Sequence, residues 1–95
     1  MCFYNIEARS KLIDELRKLN LDREAEEKAL RLLDAVYSEV PNIDSDAVVL
    51  SVLKFIGANA EALYEKNREY GARKWEESEL ILPLILRVAR EMPLH

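Results

Sequence analysis

Residues 45–60 read SDAVVLSVLKFIGANA, and the reading of this stretch decides the fold. Between Val48 and Ile56 only Ser51 and Lys54 are polar. Val48, Val49, Leu50, Val52, Leu53, Phe55 and Ile56 therefore cover most sides of a 3.6-residue turn, and a helix apolar on most sides must be surrounded by other elements. The segment belongs at the centre of the protein. Asp44 or Ser45 supplies its N-cap, and Ile43 is placed to pack against Val48 as a hydrophobic staple. Pro41-Asn42-Ile43-Asp44-Ser45 is the loop before it. The pattern predicts one long helix over 45–70, with Leu63 and Tyr70 inside and Glu61, Glu65 and Arg68 outside. Within it, Gly57-Ala58-Asn59-Ala60 either admits a close helix crossing or marks a bend. Gly71 ends or bends the helix.

The surrounding elements are helical as well. Upstream, Leu12, Ile13, Leu16 and Leu19 form one stripe, predicting a helix over 6–19 with Asn5 as its cap and Asn20 as a left-handed terminal residue. A second helix over 23–40 starts from Asp22 and turns Ala25, Ala29, Leu32, Leu33, Val36 and Val40 inward. It stops because the residue before Pro41 is pushed out of helical geometry. So short a link makes the first two helices an antiparallel or steeply crossed pair. Downstream, Ala72 to Glu79 is polar around Trp75. From Leu80 to Met92 the chain is apolar on two sides: Ile81, Leu84, Ile85, Val88 and Met92 on one, Leu82, Leu86 and Ala89 on the other. Proline removes a helical hydrogen bond and clashes with the preceding turn, so Pro83 is expected to separate a helix over 72–81 from one over 83–92. A strand over 80–86 has no partner strand. The expectation is all-α: a compact bundle of four to five helices forming a single domain over residues 1–95.

Composition agrees. The chain has two glycines, three prolines and no glutamine or threonine. Hydrophobic residues make up 49% and charged residues 34%, which excludes disorder, and 95 residues suffice for a core without disulfides or metal. The longest apolar run, Leu80 to Leu86, falls far short of the about 20 residues that span a membrane. The opening Met-Cys-Phe-Tyr-Asn-Ile lacks the basic region of a secretory signal, so a cytoplasmic protein is expected. Cys2 is the only cysteine and His95 the only histidine. One chain therefore builds neither a disulfide nor a cysteine zinc site, and no cofactor or metal is expected. Abundant Glu, Lys and Arg beside the missing Gln and Thr match the compositional habit of thermophiles.

Three functional readings compete. The carboxylate pairs Glu24 with Glu27 and Glu61 with Glu65 have the spacing that magnesium-dependent helical nucleotide hydrolases use. Both pairs fall opposite the core stripe beside cations at helical spacing, which is the pattern of a solvated surface. The cluster Lys66, Arg68, Arg73 and Lys74, interleaved with Tyr70 and Trp75, is the pattern that grips phosphates and stacks on bases. Glu65, Glu69, Glu76, Glu77 and Glu79 nearly neutralise its field, and a net charge of −4 disfavours nucleic acid. A helix-turn-helix through Asn20-Leu21-Asp22 would turn Glu24, Glu26 and Glu27 toward phosphate and is rejected. The apolar surplus of Leu80 to Met92 points instead to burial against a protein.

Two amphipathic helices, a short polar loop and a buried third helix from Ala47 to Ala60 resemble a cyclin-type helical repeat, as found in general transcription factors of the B class. The likeness rests on hydrophobic spacing, ends before Tyr64, and implies no residue role. The expected function is non-catalytic: an interaction or assembly module, a homo-oligomer or a partner of another protein, using the third and C-terminal helices. Its interface residues are Tyr70, Trp75, Leu82, Leu86 and Ala89. Nucleic-acid contact through Lys66, Arg68, Arg73 and Lys74 is the alternative.

Overall fold

Side-chain caps and two left-handed residues set the helix ends. A computed structural model describes residues 6–66 and 68–91, the side chains of residues 7, 8, 64, 66 and 68–71 excepted. The chain forms α1 (Ile6–Leu19), α2 (Arg23–Glu39), α3 (Ser45–Phe55), α4 (Ala60–Lys66) and α5 (Arg68–Glu91), with no strand among the described residues. The all-α bundle is thus the observed architecture, with a radius of gyration of 12.2 Å.

Asn20 closes α1 at φ 58°, its amide donating to the Leu16 carbonyl at 3.0 Å. Asparagine tolerates this left-handed geometry because its short polar side chain bonds locally. Two residues later Asp22 caps α2, accepting from the Ala25 amide at 2.8 Å. The tight link folds α1 and α2 into a hairpin, and Arg9 pairs with Asp34 at 3.4 Å, at matching distances from the turn. Burial raises the Asp34 carboxyl above the usual aspartate value, and the Arg9 guanidinium offsets part of that rise. Asp44, rather than Ser45, caps α3, accepting from the Ala47 amide at 3.0 Å. The expected Asn5 cap and the inward Met92 fall outside the described residues.

Every residue of α3 from Ala47 to Leu53 is buried, as its all-round apolar sequence demands. Against it pack Leu12 and Leu16 of α1, Leu32, Leu33 and Val36 of α2, Leu63 of α4, and Ile85, Val88 and Ala89 of α5. Ser51 is the one polar member of this buried run, and its hydroxyl donates to the Ser78 carbonyl of α5. Two small side chains at this contact let α3 and α5 approach closely. Truncating the fully buried Ile85 to alanine removes about 2–5 kcal/mol of packing.

Three sequence expectations are corrected. The helix predicted over 45–70 stops at Phe55. Gly57 takes φ 83°, its amide donates to Lys54 at 3.2 Å, and the Ala58 amide reaches back to Leu53 at 2.9 Å. That pair of bonds satisfies the last carbonyls of α3. Asn59 then restarts the chain, its side chain accepting from the Ala62 amide at 3.0 Å. A stop and a start signal two residues apart end a helix, whereas Gly71, with no capping residue after it, is carried inside α5.

Pro83 does not separate two helices; α5 runs through it. The ring is exposed, so the bond lost to it lies on the watered side, where solvent can satisfy the freed Glu79 carbonyl. Ser78, Ile81, Ile85, Val88 and Ala89 hold both halves of the helix against the core. Packing on one face outweighs a local cost of about 3 kcal/mol on the other.

Candidate functional site

The inward side of α5 is spent on the bundle. Ile85, Val88 and Ala89 are buried, and Trp75, Ile81, Leu82 and Leu84 are half-buried against the core. The apolar surplus read from the sequence is therefore largely absorbed within one chain. What stays outside is narrower: Leu80 is 81% exposed and Leu86 38%, with the exposed Pro83 midway between them. Apart from Ile6 at the start of α1, these are the large apolar side chains exposed among the described residues. Residues spaced i, i+3 are neighbours on a helix, so Leu80, Pro83 and Leu86 form an apolar ridge that winds through about 120° around α5.

Charges frame this ridge by sign. Toward its N-terminal end stand the exposed Glu76 and Glu79, and toward its C-terminal end the exposed Arg87 and Arg90. Glu79 also pairs with Lys54 of α3, and Arg87 with Glu39 of α2, so the inner two charges are oriented by the body of the protein. Glu76 and Arg90 have no ion pair among the described residues.

Of the five interface residues expected from sequence, Leu86 lies on this ridge. Leu82 and Ala89 pack into the bundle instead, because α5 is one continuous helix whose second apolar side also meets the core. Trp75 is half-buried, with the Lys54 ammonium 5.1 Å from its ring centroid, and the Tyr70 side chain falls outside the described residues. Leu80, outside those five, is the more exposed of the two leucines of the ridge. Its signal was present in the sequence: it is three residues before Pro83 and six before Leu86, on the side that the helix turns away from Ile81 and Ile85.

Of the four residues of the basic cluster, the structure describes the side chains of two, Lys74 and Arg73. Lys74 reaches Asp44 at 2.7 Å and Glu77 at 3.4 Å, and only 12% of its side chain is exposed. Arg73 is exposed, while the side chains of Lys66 and Arg68 fall outside the described residues. Of the carboxylate pairs, Glu24 and Glu27 stand exposed at the start of α2, Glu27 accepting from Arg23 at 3.3 Å. Glu61 and Glu65 line a shallow open groove of about 530 Å³ with Asn59, Ala62 and Trp75. Among the described residues no group of three or more His, Cys, Asp or Glu converges in a way that holds a metal, and no helix is long and apolar enough to cross a membrane.

Comparison with protein-family models, with curated proteins and with solved structures finds no match to this chain.

Proposed function

We propose that the protein is a non-catalytic assembly module whose docking surface is the outer side of α5. The observation that carries this is the Leu80–Pro83–Leu86 ridge, exposed on a helix whose other large apolar side chains, where described, are turned inward. Single exposed leucines are ordinary on protein surfaces. A ridge of three apolar residues on a rigid helix, framed by opposite charges at its two ends, has the anatomy of a small interface: an apolar centre with a polar rim. The rigidity matters because a preorganised helix loses little conformational freedom on docking. Buried inside a single chain from Ala47 to Leu53, α3 serves as the platform that holds α5 rather than as a contact surface.

Sedimentation equilibrium tests the reading. The double variant Leu80→Asp with Leu86→Asp should lower the molar mass in solution toward that of one chain of 11.0 kDa. Ile6→Asp, on an equally exposed apolar residue of α1, should leave the mass unchanged. Association that survives the α5 variant and is lost in the α1 variant would move the docking surface elsewhere. Helical circular dichroism should be retained throughout, since all three positions are exposed.

A further inference from the structure

Resting on that reading, we propose that the occupant of the α5 ridge is a second copy of this chain, packed α5 against α5 in antiparallel register about a two-fold axis at Pro83. A closed dimer of identical chains uses the same patch twice, so the patch must complement itself. The outer face of α5 does so in one register. A two-fold axis perpendicular to the helix at Pro83 sets each residue before it level with the residue equally far after it in the other copy. Leu80 is then level with Leu86 of the second copy, Glu79 with Arg87, and Glu76 with Arg90.

Each of these pairs is apolar with apolar or acid with base, and all six side chains are exposed. At about 100° per residue, Glu76 and Arg90 also fall within about 20° of the Pro83 direction, near the seam of such a pair. A parallel pairing would set Glu76 on Glu76 and Arg90 on Arg90, which repel. Opposite charges at matched levels thus select the antiparallel arrangement and penalise the parallel one.

The apolar centre is three residues per copy, well below the roughly 800 Å² per partner of a standard interface. The dimer is therefore weak and sensitive to salt, which screens its exposed charge pairs. Weak pairing suits a contact made at high local concentration or in a larger assembly.

Charge reversal in trans tests the register. Sedimentation equilibrium at low ionic strength and up to roughly millimolar protein covers the weak-binding range. There the unaltered chain should dimerise, and E76R and R90E should each raise the dissociation constant at least about tenfold, the equivalent of 1.4 kcal/mol. An equimolar mixture of E76R and R90E should regain the unaltered affinity, because the arginine introduced in one variant would then meet the glutamate introduced in the other. A dimer indifferent to both reversals, or a mixture no tighter than its components, overturns the antiparallel register while leaving the docking face standing. A chain that stays monomeric at millimolar concentration overturns self-pairing itself.

Discussion

Lys74 of α5 holds Asp44, the cap of α3, at 2.7 Å, with only 12% of the lysine side chain left exposed. One carboxylate thereby does two things: it satisfies the Ala47 amide at the start of the central helix, and it anchors the C-terminal helix to it. Nearby, Lys11 of α1 pairs with Asp46, so three helices meet around the N-terminal turn of α3. The same contact withdraws Lys74 from the basic cluster seen in the sequence.

Acid should loosen this junction. Burial works against the Asp44 charge, but the Lys74 hydrogen bond, the amides of Ala47 and Asp46 and the lysine charge outweigh it, holding the carboxyl below its ordinary value of 3.8. Because the folded value lies below the unfolded one, the stabilisation is complete above about pH 4 and is lost as pH falls through the folded value. Asp44→Asn keeps a good cap and loses the ion pair, at a cost of about 0–1 kcal/mol at neutral pH. Asp44→Ala loses both, costing about 1–2 kcal/mol. Urea denaturation between pH 2 and 7 should show a shallower acid decline in both variants than in the unaltered chain.

Tyr37 is fully buried, and its hydroxyl lies beside Ser45 without a well-formed hydrogen bond. Burial also raises its ionisation above the ordinary value, so it stays neutral. An unpaired buried hydroxyl costs about 1–3 kcal/mol. Tyr37→Phe should therefore be neutral or stabilising by up to about 1 kcal/mol in thermal or urea unfolding. A loss of more than about 0.5 kcal/mol would reveal a partner for the hydroxyl.

Pro83 occupies an exposed position inside a 24-residue helix. Pro83→Ala restores an amide donor and removes the clash with the preceding turn, and should stabilise the chain by about 1–3 kcal/mol. Hydrogen exchange should slow at residues 81–85, where the proline removes one bond from the helical ladder.

Gly57→Ala isolates backbone strain from crowding. A Cβ at Gly57 meets nothing within 4 Å, yet φ is 83°. The loss should be about 1–2 kcal/mol, the cost of a left-handed residue with a side chain. A neutral result would mean that the link to α4 relaxes without penalty.

The fold was largely legible because its signals are local. The all-round apolar run from Val48 to Ile56 identified the central helix, and Asp22, Asn20, Pro41 and Asp44 marked boundaries by local chemistry alone. Three boundaries were misplaced for one reason. Gly57, Gly71 and Pro83 are all helix breakers by propensity, and which of them acts depends on what lies beside it in space. Gly57 is followed by a cap in Asn59; Pro83 faces water on a helix whose other side is locked down. The candidate site was less legible, since Leu80, Leu82, Leu86 and Ala89 look alike in sequence, and only the rotation of α5 against α3 sorts them into inside and outside.

Sequence by itself determined that this chain is helical, where most helices begin, and which of them is enclosed, because capping, periodicity and hydrophobicity act within a few residues. Tertiary structure alone decided that α5 survives its proline, that Lys74 is bound to Asp44, and that Leu80 and Leu86 are the residues left facing water. Those outcomes depend on competition between distant segments for the same buried surface, and no local rule contains that competition.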